Sequence, residues 1–428
     1  MMQKFVYLII NKLGCFLCLC FLSLVVNAQD TDIKITEEPV MAQESSSWTT
    51  LKKVWHEDIQ FHGFFSQGLF HTSGNNVYGN SKNSVSAGLT ELGVNVSYQA
   101  LNNLSFAVQG LYRRAGESTG DWGEASLDYA FFDYTFFNSS AVRMGLRGGR
   151  VKNPWGFYNE TRDVASTHPT IFLPLVYFDR SRALFLSLDG GQVYADHNSS
   201  VGNFSYKLNF GLMNADDDEL LMAVTFDPTV SGQLKGEPSL VTQLAYESTG
   251  GLYAIAFSYA HANVSYTPGN TLDPYTGLQL KFNSFILSTQ YNGEKFSLVG
   301  EYALQWNQFA GITLIRPDSE PISEYWYVQA GYRILDNLQV TLRYDSSVQD
   351  IHDRSGRTFH QQTGLPAHLM FTKDIVVGLR WDITPAWMVR AEYQRVHGAS
   401  VVSGLDNTNI PERARDWNIY ALQVAYRF

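Results

Sequence analysis

The feature that most constrains this chain is a sustained alternation of apolar and polar residues with no long apolar run after the first 28 positions. In "NIYALQVAYRF", Tyr420, Leu422, Val424, Tyr426 and Phe428 occupy every second place, with Ala421, Gln423, Ala425 and Arg427 between them. A period of two is that of a β-strand, and here one face is wholly apolar or aromatic. The same alternation recurs in Phe204–Leu212, Phe296–Trp306, Leu338–Tyr344 and Ile375–Trp381. An edge strand of a soluble sheet is normally blunted by charge or proline. A strand that stays apolar to its end needs a permanent partner strand and a permanent apolar surrounding.

The amino-terminal stretch carries Lys4 and Lys12, then an apolar run from Leu13 to Val26, then Val26-Asn27-Ala28. This predicts a cleavable secretory signal over 1–28. The run falls short of the roughly 20 residues a spanning helix needs. Cys15, Cys18 and Cys20 are the chain's three cysteines, none follows a lipobox, and all leave with the signal. No disulfide is therefore expected. Formal net charge is −10, which argues against a nucleic-acid partner. Aromatics make up 14% of the chain and glycine occurs 34 times. With export and no apolar helix, this composition predicts an all-β transmembrane antiparallel barrel in a bacterial outer membrane rather than a secreted β-sandwich.

Spacing supports the same reading. Tight turns such as "ALNNLSF", "FNSSAV", "YNGEKF" and "ILDNLQV" alternate with long polar connections. Asn, Gly, Asp and Ser supply the backbone angles such turns require. Short turns on one side and long loops on the other are the sidedness of outer-membrane barrels, and counting hairpins gives about sixteen strands. The expected organisation is a signal over 1–28, a periplasmic segment over 29–56, and a barrel over 57–428. Aromatics gather where strands meet turns, at Phe136, Phe137, Trp387, Tyr426 and Phe428, as interfacial girdles require.

The polar faces carry charge of both signs: Arg143, Arg147, Lys207, Arg333, Arg343, Arg380, Arg390 and Arg427 with Asp189, Glu247, Glu301, Asp345, Asp374, Asp382 and Glu392. Unpaired charge is costly in a packed core, so a water-filled channel is expected. Cross-strand pairing is the structural alternative, Asp345 with Arg380 being one such pair. The segment from Gly251 differs: Ala254, Ala256, Ser258, Ala260 and Ala262 form a wall of small side chains. The connection from Val151 to Arg182 is long and carries Trp155, Phe157, Ile171, Phe172, Leu173 and Leu175. A loop of this length normally has order or function. Its segment 152–182 is expected to fold inward and narrow the lumen, the alternative being a lid over the mouth. Glu160 and Asp163, with Arg162 beside them, would then face Arg333, Arg343 and Arg390 across the gap.

The run "GLRGGRVKNPWGFYNETRD" with "IFLPLVYFDRSR" resembles the corresponding region of phosphate-selective porins O and P, most specifically at Gly149–Gly156 and Phe178–Arg182. More loosely, the whole barrel is similar to sixteen-stranded porins, whose third external connection is their constriction loop. The resemblance implies passive diffusion of small hydrophilic solutes or ions, with an anion lean, and admits a homotrimer. Their basic ladders are not recognisable here position by position. The terminal pattern, with Tyr426 and Phe428, resembles the signal read by the barrel-assembly machinery. Outer-membrane lipid and lipopolysaccharide are the other expected partners.

An outer-membrane lipid hydrolase and a structural or adhesive barrel are the rival readings. The ten histidines are scattered and no G-x-S-x-G motif stands out. No cofactor is expected, and no ligand cluster has metal-site spacing. Asp216, Asp217, Asp218 and Glu219 lack the glycine and later glutamate of a calcium loop, and read as a solvated acidic loop, bridging lipopolysaccharide through divalent ions.

Overall fold

The computed structural model describes residues 59–177, 179–225, 230–269, 273, 277–311 and 319–428. The expected signal, the segment 29–56, the first strand's start at Glu57 and Phe178 lie outside the described residues. The strands are β1 (Ile59–Thr72), β2 (Ser86–Leu101), β3 (Leu104–Ala115), β4 (Glu124–Asn138), β5 (Val142–Lys152), β6 (Ser187–Ser199), β7 (Gly202–Met213), β8 (Gln233–Gly236), β9 (Pro238–Ser248), β10 (Tyr253–Thr267), β11 (Gln279–Asn292), β12 (Phe296–Ala310), β13 (Ile322–Leu335), β14 (Leu338–Val348), β15 (Phe371–Asp382), β16 (Trp387–Gly398) and β17 (Asp416–Arg427).

From β1 to β7 and from β9 to β17 each strand pairs antiparallel with the next in sequence, β7 pairs with β9, and β17 returns to β1 from Phe64↔Arg427 to Thr72↔Ile419. Beyond that ladder, Gly63 and Phe428 exchange backbone hydrogen bonds at 3.1 and 3.0 Å. No edge remains, which a sheet in hydrocarbon requires. Both β8 and β9 pair with β10. They are two halves of one strand, broken where Pro238 has no N–H to give, while the Glu237 amide still donates to Asn263 O at 2.9 Å. The barrel thus has sixteen strands. Among the described residues no helix is long and apolar enough to cross a membrane.

The alternation sorts cleanly into two faces. On β17, Tyr420 and Leu422 are 50% and 54% exposed, while Ala421 and Gln423 between them are each 4% exposed. The outward faces elsewhere carry exposed apolar residues in the same way, such as Phe257, Leu298, Leu342 and Val377, and Phe136, Trp387 and Phe428 stand exposed at the short-turn end. Asp189 is corrected by this register. It pairs with Arg150 at 2.7 Å, and Arg150 lies on the outward parity of β5, between inward Gly149 and Val151. The pair therefore sits on the outer surface near the long-loop end.

Next to it, Gly149, Gly190 and Gly211 are register partners across β5, β6 and β7. A Cβ on these residues would come within 2.2–2.3 Å of a neighbouring backbone oxygen. Only glycine allows the chains to approach so closely there.

Candidate functional site

The connection from β5 to β6 is tied together at its base. The Asn153 amide donates to Leu186 O at 3.0 Å, and the Asn159 side chain donates to Asn153 O and Phe185 O at 3.0 and 2.8 Å. The Trp155 ring stacks on Phe185, centroids 5.6 Å apart. Val151, Trp155, Val176, Tyr177 and Leu184 then join one buried cluster with Ala260, Ala262, Ile286, Val299 and Ala303 of the barrel wall.

The small residues on β10 make this approach feasible. Ala256, Ser258, Ala260 and Ala262 are buried beneath the connection. The Gly156 N–H donates to Ser258 Oγ at 3.1 Å, and Gln243 Nε2 donates to Gly156 O at 2.9 Å. Gly156 has φ +60°, and a Cβ on it would lie 2.0 Å from Tyr177 Oη. No other residue fits without moving the tyrosine.

Beside Gly156, the Glu301 carboxylate of β12 gathers four donors. These are the Phe157 N–H at 2.9 Å, Tyr177 OH at 2.6 Å, Ser288 Oγ at 2.5 Å and Tyr327 OH at 2.9 Å. A second set of ties comes from β14, β15 and β16. Glu392 accepts from the Ile171 N–H at 2.5 Å and Asp345 from the Leu175 N–H at 3.1 Å. In the opposite sense, Arg343 donates to Thr170 Oγ1 and Phe172 O at 2.6 and 3.1 Å. Arg390 donates to His168 O and Thr170 O at 2.9 and 2.5 Å, and Arg380 to Ser166 O at 3.0 Å. The wall acids thus hold amides of the connection and the wall arginines hold its carbonyls. These are bonds to charged groups, each worth about 1.5–3 kcal/mol.

Several expected pairings are different. Glu160 and Asp163 do not face Arg333, Arg343 or Arg390. Glu160 takes Lys207 of β7 at 2.7 Å. Asp163 is enclosed by Lys152 at 2.8 Å and by Arg182, and Lys152 also meets Asp128 at 2.9 Å. Burial alone would raise the Asp163 carboxyl, but Arg182 and Lys152 outweigh it and hold it well below the usual range. Asp345 pairs not with Arg380 but with Arg343, two residues away on its own strand, at 2.6 Å, and Arg380 pairs with Asp382 at 2.9 Å. Arg333 is exposed at the short-turn end, donating to Glu294 O at 2.7 Å.

Arg143 is exposed over the Tyr194 ring at 5.4 Å, and Arg147 pairs with Asp133 at 2.8 Å. Arg162 donates to Tyr177 O at 2.8 Å. Its neighbour Asp179, absent from the sequence-based candidates, also accepts from Tyr78 OH and Arg113 at 2.7 and 2.8 Å. Burial opposes its ionisation, yet Arg113 and Arg162 bring it down to about 2. His168 was likewise missed. Burial, then the adjacent Arg390, lower it to about 3, so it is neutral. The signal the sequence offered was their place beside the apolar stretch of the connection, Ile171–Tyr177.

The acidic run 216–219 is solvated only in part: Asp216 and Asp218 are exposed, while Asp217 and Glu219 are engaged by the protein. Asp217 accepts from the Leu220 N–H at 2.7 Å at the start of the helix Asp218–Thr225. Glu219 is buried and accepts from the Gly404 N–H and Ser403 Oγ at 2.6 and 2.9 Å. Among the described residues no group of three His, Cys, Asp or Glu side chains is placed to hold a metal. Beside the tethered connection lies a cavity of about 300 Å³, lined among others by Arg113, Arg162, Arg182, Asp179, Phe172 and Asp374.

No family model matches the chain, and no curated protein sequence matches it. Solved structures do. DcaP, an outer-membrane channel of Acinetobacter baumannii, superposes with TM-score 0.53 at 13% identity, covering 87% of this chain and 97% of that one. The anion-selective porin of Comamonas acidovorans gives 0.53 at 12%, covering 86% and 99%. OmpT of Vibrio cholerae, an outer-membrane protein solved in a trimer form, gives 0.52 at 12%, covering 86% and 99%. At these identities the likeness is one of architecture, and the chain has the fold of the sixteen-stranded outer-membrane porins.

Proposed function

We propose that this protein is an outer-membrane porin, a non-enzymatic channel through which small hydrophilic solutes or ions diffuse passively. The observation that carries the reading is the opposite character of the two barrel faces. The outer face is apolar, and the inner face is charged and tethers the connection 152–182 across the lumen. That connection is the constriction. Glu301, Arg343, Arg380, Arg390 and Glu392 position it from beneath, while Arg143, Arg147, Glu160 and Lys207 line the aqueous side. Arg162 and Asp163 are buried within the connection and hold it together.

Arg143 has no carboxylate within ion-pair distance among the described residues. This supports a modest anion preference, because a narrow aqueous gap reads its fixed charges. Assembly through the barrel-assembly machinery, contact with lipid and lipopolysaccharide, and a homotrimer belong to the same reading. The test is single-channel recording in planar bilayers under a salt gradient. Stepwise ohmic conductance with a reversal potential favouring anions is expected. Absence of conductance from correctly folded barrels would overturn the proposal.

A further inference from the structure

Asp374 stands on the inward face of β15 and is 4% exposed. No hydrogen bond reaches its carboxylate among the described residues, and Oδ1 is wholly enclosed. Its charged neighbours are all engaged. Asp345, opposite it in register, holds Arg343 and the Leu175 N–H. Glu392 holds the Ile171 N–H and the Gln394 side chain, at 2.5 and 2.6 Å. Arg390 is held by Gln423 and by the carbonyls of His168 and Thr170.

The group therefore counts three carboxylates, Asp345, Asp374 and Glu392, against two guanidiniums, Arg343 and Arg390. Asp374 is the acid left over. An enclosed carboxylate without a donor is costly, and a cationic donor meets that need best. Asp374 lines the cavity of about 300 Å³, whose wall also includes Ile171, Phe172 and Leu111. Exposed Glu124 and Ser126 lie at its margin, giving access from solvent. Ligand cavities run from roughly 300 to 1,000 Å³, so the occupant is small.

We propose that this cavity binds a small organic solute carrying a protonated primary amine on an apolar body, with the ammonium group on Asp374. The proposal rests on the porin reading for the solute's route to the cavity. Binding itself is measured apart from conduction, by calorimetric titration of the detergent-solubilised barrel with 2-phenylethylamine and with its neutral counterpart 2-phenylethanol.

The unaltered protein should prefer the amine by about tenfold, the size of one bond to a charged group. In Asp374→Asn the preference should vanish while the weaker affinity for the alcohol stays the same. Equal affinity for the two compounds in the unaltered protein, binding of neither, or a preference that survives in Asp374→Asn would each overturn the proposal. The comparison on the unaltered protein requires no variant to fold. Salt conductance in bilayers tests the porin reading separately. A conducting barrel without amine preference rejects the site alone, and a silent barrel that prefers the amine rejects the porin reading alone.

Discussion

Replacing Glu301 by alanine should open the channel. Four donors converge on this carboxylate, and two of them, the Phe157 N–H and Tyr177 OH, belong to the connection between β5 and β6. Ser288 and Tyr327 hydroxyls can rotate toward other acceptors, so the effect on the connection is carried by the first two. The Phe157 N–H keeps a second acceptor, Tyr177 Oη at 2.7 Å, so the Tyr177 hydroxyl is the donor left unpaired, at about 1–3 kcal/mol against the tethered state. The ties from Glu392, Asp345 and the three wall arginines remain, so the segment near Phe157 should lift while that near Thr170 stays in place. In planar bilayers the expected result is larger unitary conductance with added flicker. In liposomes it is faster swelling with sugars that the unaltered protein excludes. Glu301→Gln keeps one acceptor oxygen and should fall between the two. The exposed Glu294, in the short turn that leads into β12, changed to alanine should behave as wild type. Conductance and noise in Glu301→Ala indistinguishable from wild type would refute the assignment of Glu301 as an anchor of the constriction.

Gly156→Ala places a Cβ 2.0 Å from Tyr177 Oη at a φ of +60°; it should cost roughly 1–3 kcal/mol in thermal unfolding and raise conductance as Glu301→Ala does. His168 is lowered to about 3 from 6.5, so its contribution to stability is complete above pH 6.5 and is lost as pH falls toward 3. At pH 4 this amounts to roughly 3 kcal/mol, and thermal scans between pH 7 and 4 should show a flatter dependence for His168→Gln than for wild type. Removing Phe428 deletes its backbone exchange with Gly63 and its ring contact with Phe61 at 5.8 Å, and should lower the amount of heat-modifiable barrel more than the conductance of the barrels that assemble. Arg143→Gln should move the reversal potential toward cations with little change in unitary conductance, because Arg143 is exposed and tethers no part of the connection.

The alternation along Phe204–Leu212 or Tyr420–Phe428 determined strand, face and barrel without any tertiary information, because successive side chains of an extended backbone point to opposite sides whatever lies beyond them. The turn residues determined the hairpin rhythm, and the small residues of β10 marked a wall against which something could rest. Partners were another matter. Glu301 meets Phe157 across 144 positions, and Glu392 meets Ile171 across 221. Which inward charge lies under which residue of the connection depends on barrel closure and on the stagger between strands, and neither is written in local composition. That is why Glu160 and Asp163 found Lys207, Lys152 and Arg182 rather than the arginines of β13, β14 and β16. Asp189 shows the same limit at short range. Its polarity suggested the lumen, but its register opposite Arg150 put it on the outside, where the two charges satisfy each other. Period two is a property of the chain's own backbone, whereas ion pairing is a property of where other strands come to stand, and only the folded barrel decides that.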